Sequence, residues 1–160
     1  MDANEIKLSF AILTDADHVS PLYTRGLWSS MGTEKSVLYE LRRPKFVKIL
    51  VARHEKALVG RLRLATKKPW AVDTSYFSPV ERPLYLTSMV VAPDMRGKGI
   101  GRRLLQEAVK VAKAWPGDAI RLDALEGDAG AGPFYAKSGY REVGRRTYKT
   151  SQLVYFELLL

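Results

Sequence analysis

Apolar residues alternate with polar ones at Ile6, Leu8, Phe10 and Ile12, so the stretch from Glu5 to Leu13 has the two-residue period of a strand with one buried face. Thr14 and Asp17 follow at capping-box spacing, the short acid replacing Glu or Gln. They precede Val19, Leu22, Tyr23 and Leu27, which share one helical face. The opening unit reads as strand then helix. A second helix is predicted from Thr33 to Arg42, burying Val37, Leu38 and Leu41 and stopping near Pro44, which cannot continue a helix interior.

Phe46 to Ala52 and Ala57 to Ala65 are apolar, β-branched-rich runs separated by His54-Glu55-Lys56, the pattern of a hairpin. Thr66 to Pro83 shows neither period and carries Pro69, Pro79 and Pro83 with Trp70, Tyr76 and Phe77. Long irregular loops in small domains are often lids or binding loops, and the expectation here is a substrate-side cover, with core packing the commoner account of each ring taken alone. Leu84 to Val91 is a strand. Gly99 to Ala114 is a helix with Ile100, Leu104, Leu105, Ala108, Val111 and Ala112 on its buried stripe, ended by Trp115-Pro116-Gly117. A strand from Ala119 to Ala124, a short helix around Phe134 to Ser138 closed by Gly139, and a hairpin of Tyr140 to Arg146 with Leu153 to Leu160 complete the chain.

The 160 residues and 46% hydrophobic content suit one domain with a single core. No apolar run approaches the ~20 residues that span a bilayer, and Met1-Asp2-Ala3-Asn4-Glu5 does not open a signal peptide, so no membrane association and a cytoplasmic location are expected. The chain has no cysteine, which removes disulfides, thiolate metal sites and an acyl-cysteine intermediate. His18 and His54 lack partners at metal-ligand spacing; no metal is expected. The net charge of +9 favours polyanions in general. Its placement is more informative, because Arg96, Lys98, Arg102, Arg103, Lys110 and Lys113 surround one glycine-rich turn and the helix after it.

That turn, Arg96-Gly97-Lys98-Gly99-Ile100-Gly101-Arg102, lies between a strand and a helix start. The first helical N–H groups have no partner within the helix, and the macrodipole adds about half a positive charge there. Glycines let phosphate oxygens approach the backbone, and the basic side chains add charge, so a diphosphate suits the turn. Gly-x-x-x-x-Gly-Lys-Ser/Thr is absent, and Gly-x-Gly-x-x-Gly fails because Arg102 stands where its third glycine belongs.

Arg96, Gly99 and Gly101 match Arg/Gln-x-x-Gly-x-Gly/Ala, with Val91-x-Pro93 upstream, and Phe134-Tyr135-Ala136-Lys137-Ser138-Gly139-Tyr140 matches Phe-Tyr-x-x-x-Gly-Phe. In these motifs and their order the chain resembles the GNAT superfamily of acetyl-CoA-dependent N-acetyltransferases. The resemblance implies an α/β (α+β) fold with a mixed, mostly antiparallel sheet of about seven strands and about four helices, a single domain over 1–160, and often a homodimer. It also implies acetyl-CoA as co-substrate, its pyrophosphate on residues 96–102 and its pantetheine arm beside the backbone of Met89 and Val91.

By the same resemblance Tyr135 protonates the departing CoA thiolate and an amine acceptor attacks the thioester directly. Asp128 stands where the family commonly has an asparagine that touches the cofactor. Pro133 would be interior to a helix begun at Asp128, so the helix is expected to start near Gly132. Where some members carry a glutamate base, this chain has Tyr85, with Thr87 and Ser88 nearby, so the base is open among Glu126, Asp123, Glu81 and Asp73 acting through water. A non-catalytic acyl-CoA-binding module and a basic nucleic-acid-binding domain are the competing readings. The latter requires exposed aromatics among Lys and Arg, and the motifs make it the least favoured.

Overall fold

Polar groups at the start of the chain set where the first strand begins. The computed structural model describes residues 6–14, 33–127 and 131–160. The helix expected after Thr14, with Val19, Leu22, Tyr23 and Leu27, lies outside these residues, as do His18 and Asp128. Strand β1 is Ser9–Ile12, shorter than the alternation suggested. The Ile6 carbonyl accepts from Arg103 and the Lys7 carbonyl from His54 Nδ1 at 3.0 Å, so side chains take up these backbone groups ahead of the strand.

Seven strands form one sheet in the order β1-β2-β3-β4-β5-β7-β6, with β2 at Val47–His54, β3 at Ala57–Ala65, β4 at Pro83–Val91, β5 at Ala119–Leu125, β6 at Arg141–Tyr148 and β7 at Ser151–Leu159. Antiparallel pairing joins β1 to β2, β5 to β7 and β6 to β7; β4 and β5 run parallel. The described helices are α1 at Glu34–Leu41, α2 at Ile100–Ala114 and α3 at Ala131–Lys137. Among the described residues no helix is long and apolar enough to cross a membrane. The chain divides into two compact units, Met1–Leu64 with Thr87–Ala108, and Ala65–Leu86 with Val109–Leu160.

In the first unit, the Thr33 side chain caps α1 by accepting from the Ser36 N–H at 3.2 Å. Val37 and Leu41 are buried on the core of Leu13, Ile49, Val51 and Leu58, with Leu38 packed beside them. The β2–β3 connection is only Glu55-Lys56, both with positive φ (50° and 71°), the mirror-image turn that matches strand twist. Gly60 on β3 receives α2: a Cβ there would lie 2.8 Å from Leu104 Cδ1 and 3.4 Å from Ile100 Cγ2. Its missing side chain lets Ile100 and Leu104 seat directly on the strand.

In the second unit Phe77 and Val72 of residues 66–83 are buried with Tyr85 and Tyr155, the core packing given as the commoner account of each ring. Tyr76 stacks 5.1 Å from Tyr155 and lies so close to Gly144 that a Cβ there would come within 2.1 Å of its ring. Trp70 stays 80% exposed, touching Tyr148 edge-on at 5.7 Å. A buried polar cluster holds the same loop. Glu157 accepts from the Ser78 N–H at 3.1 Å, from the Ser78 hydroxyl and from Arg141 at 3.0 Å, while Arg121 donates to the Ser78 carbonyl at 2.7 Å. Burial alone would raise the Glu157 pKa, and the bonds from Ser78 and Arg141 overcome that and hold it below its ordinary value.

Gly60→Ala should cost about 1–3 kcal/mol, because Leu104, itself fully buried, must move to admit the methyl group. Urea unfolding measures this, and unchanged stability would mean that helix and strand are not seated as described.

Candidate functional site

The glycine turn starts from a fixed point. The Ala92 N–H reaches the Val59 carbonyl at 2.8 Å, and Pro93–Met95 form one 3-10 turn closed by the Met95 N–H on the Ala92 carbonyl at 2.9 Å. Met95 and Val90 pack on the first unit's core. Arg96 is extended, and its Nε donates to the Val91 carbonyl at 3.4 Å. Gly97 and Gly99 have φ of +76° and +78°. A Cβ at either would meet nothing within 4 Å, so backbone conformation selects glycine here, a left-handed geometry that costs other residues roughly 1–2 kcal/mol.

The helix ladder of α2 opens with the Arg103 N–H on the Gly99 carbonyl at 3.2 Å. The N–H groups of Ile100, Gly101 and Arg102 therefore precede the ladder and mark the positive end of the helix. Arg96, Gly97, Lys98, Gly99 and Arg102 are exposed, while Ile100 is buried and anchors the turn. One short segment thus combines basic side chains, open backbone and a helix N-terminus, which suits a diphosphate. Arg103, grouped with these cations by sequence, is directed elsewhere: it donates to the Ile6 carbonyl and sits 5.8 Å from the Phe10 ring centre. Met89 and Val91 are half-buried on β4, just after Ser88, whose positive φ of 54° kinks the strand.

In the second unit, α3 begins at Ala131, so Pro133 falls in its first turn, where its missing N–H leaves no bond unmade. Gly139 ends the helix with φ of 93°, and the Tyr140 N–H closes on the Tyr135 carbonyl at 3.0 Å. The half-buried Tyr135 ring is held by Phe134 at 5.2 Å, Tyr140 at 5.8 Å and Phe156 at 5.8 Å. Tyr140 is buried and its hydroxyl has no hydrogen-bond partner among the described residues; burial first, and Tyr135 beside it, push its pKa up.

The four candidate carboxylates have different surroundings. Glu126 is exposed and paired with Arg145, which Glu142 also holds at 2.6 Å. Asp73 caps Ser75, and those hydrogen bonds lower its pKa. Glu81 is exposed. Asp123 is half-buried on β5, and burial raises its pKa. It pairs across the sheet with Tyr155, whereas Tyr135 packs on the neighbouring Phe156, so carboxylate and phenol stand on opposite faces of this unit's sheet. Tyr85 is engaged otherwise, its hydroxyl accepting from Arg121 at 2.9 Å. Sequence reasoning named Asp123 but missed Arg121 and Glu157 on the same polar face. The alternation Ile120-Arg121-Leu122-Asp123 is its only linear signal.

Residues 16–140 match the family model described as the Acetyltransferase (GNAT) family. No curated protein matches the chain significantly in sequence. Among solved structures, NAA60 of Arabidopsis thaliana in complex with acetyl-CoA shares 15% identity at a TM-score of 0.73, covering 96% of this chain and 99% of that one. An N-acetyltransferase of Staphylococcus aureus Mu50 shares 16% at 0.70 over 96% and 98%. A GNAT family acetyltransferase of Elizabethkingia anophelis with acetyl-CoA bound shares 15% at 0.67 over 96% and 98%. At these identities the likeness is one of fold.

The raised pKa of Asp123 yields a ligand-free prediction. Folding favours its protonated form, so its ionisation weakens the fold as pH rises through the folded pKa. Asp123→Asn should therefore be more stable than wild type at pH 7, with the gap narrowing towards pH ~4. Denaturant midpoints at both pH values check this, and a variant less stable at pH 7 would contradict it.

Proposed function

The chain belongs to the GNAT acetyltransferase family and is an acyltransferase, and on that premise we propose that it transfers acetyl from acetyl-CoA to a primary amine by direct attack in a ternary complex. The observation that carries this reading is the exposed turn of residues 96–102, with its two left-handed glycines, its three N–H groups ahead of the helix ladder and its basic side chains. In it the CoA pyrophosphate lies on the backbone of Gly97 to Gly101, with Arg96, Lys98 and Arg102 supplying charge. The main chain of Met89 and Val91 holds the pantetheine arm, a role taken from the family resemblance, as is a cofactor contact by Asp128.

Acetyl-CoA supplies an activated acyl group, and the protein positions it and moves protons. Asp123, on the opposite face of the sheet from Tyr135, takes the ammonium proton through water, since the other named carboxylates are paired, capping or exposed. The amine nitrogen then bonds to the thioester carbon. As the C–S bond breaks, the Tyr135 hydroxyl, a weak acid held beside the developing thiolate, protonates the sulfur, and the second proton lost by the nitrogen returns to the Tyr135 phenolate. The acceptor is a small-molecule amine, a protein N-terminus or a lysine side chain.

Acetyl-CoA at 100 times its Kd should stabilise the fold by about 2.7 kcal/mol, read as a rise in Tm, and no rise would remove the proposed cofactor. Tyr135→Phe should keep that rise but lower kcat on an amine panel by about 10²–10⁴. Normal turnover in the variant would take Tyr135 out of the mechanism. Asp123→Asn should lower kcat similarly and abolish the rise of activity with pH that ionisation of a base with a raised pKa produces. An unchanged pH profile would leave the base elsewhere.

A further inference from the structure

Between Glu34 and Lys48 the chain carries five cations, Lys35, Arg42, Arg43, Lys45 and Lys48, against two acids. One of those acids, Glu40, is taken by Arg63 through bonds of 3.1 and 2.7 Å. Two aromatic side chains stand open in the same stretch, Tyr39 and Phe46, each 58% exposed. The Arg43 guanidinium covers one face of the Tyr39 ring at 3.7 Å. Glu34, Lys35, Leu38, Tyr39, Arg42 and Arg43 border a shallow groove of about 570 Å³.

The backbone holds this display in place. Val37 and Leu41 anchor α1 in the core, Arg43 donates its N–H to the Glu40 carbonyl at 2.9 Å, and the Arg43 carbonyl accepts from Phe46 and Val47 at 2.9 and 3.0 Å. Pro44 ends the helix, so the run Arg42 to Phe46 turns outward while staying tied to the helix end. Two large rings more than half exposed bury little apolar area for the fold. Cations alone suit any polyanion, but rings interleaved with cations suit one that also offers flat π faces.

We propose that the surface formed by α1 and the turn after it binds single-stranded RNA, with Lys35, Arg42, Arg43 and Lys45 along the phosphates and Tyr39 and Phe46 stacking on bases. The proposal does not depend on the acetyl-transfer reading, because none of these residues belongs to the turn of residues 96–102 or to the Tyr135 segment.

The test is fluorescence anisotropy of a labelled 12-nucleotide oligouridylate with the intact chain. Engagement of up to four phosphates predicts that log Kd rises with log salt at a slope of about 3. The double variant Tyr39→Ala, Phe46→Ala keeps every charge and removes only exposed rings, so it should fold normally by melting temperature yet bind about tenfold or more weakly. Arg42→Ala, Arg43→Ala should weaken binding and lower the salt slope. If the double aromatic variant binds as wild type does, the surface is only a charged face and the proposal falls. It falls equally if a polyglutamate peptide of matched charge competes as well as the RNA, which would assign the surface to acidic protein segments.

Discussion

The seat of α2 on Gly60 is the contact on which the first unit depends. A helix packs this closely on a strand only where the strand presents bare backbone, and the seat accepts Ile100 and Leu104, one helical turn apart. Ile100 is also the first residue of the helix, so the same contact sets where the ladder begins and which N–H groups precede it. The glycine turn inherits a defined exit from β4 on one side and a defined helix start on the other. An anion site made of backbone needs both, because amides converge on a ligand only when the chain carrying them cannot drift.

In the second unit a buried carboxylate does the comparable work. Glu157 is nearly inaccessible yet stays ionised because Ser78 and Arg141 satisfy it, and Arg121 ties the same loop through the Ser78 carbonyl. Phe77 and Tyr76 can then fill the space over Tyr155, and Val72 and Phe77 join the core. Asp123 shares this face but has no comparable set of donors, which is why burial shifts it the other way. Two carboxylates on one face of the sheet thus take opposite protonation tendencies, a separation often found where proton transfer occurs.

The strands, α1 and α2 within the described residues were legible in the linear order of apolar residues, and α3 in the glycine that closes it. The hairpin of β2 and β3, the buried stripe of α2 and the terminal hairpin follow from periods of 2 and 3.6. Boundaries moved where side chains took up backbone groups, as at Ile6 and Lys7, or where positive φ at Glu55 and Lys56 allowed a two-residue turn without glycine. Residues 66–83 were unreadable because their order comes from rings and charges far away in sequence.

The sequence by itself determined the glycine turn and the Phe134–Tyr140 segment, because both depend on local chemistry: left-handed glycines, orphan amides at a helix start, a helix closed by Gly139. Only tertiary structure distinguished the surroundings of the carboxylates and of the cations. Charge and spacing were alike for Asp123, Glu126 and Asp73, but burial, ion pairing and capping are not local properties. Arg103 looked equivalent to Arg102 until the helix turned it towards β1, and Phe46 read as the start of an apolar strand until the core closed without it. A residue's chemistry is written in the chain, whereas its solvent exposure and its partners depend on which distant segments fold against it.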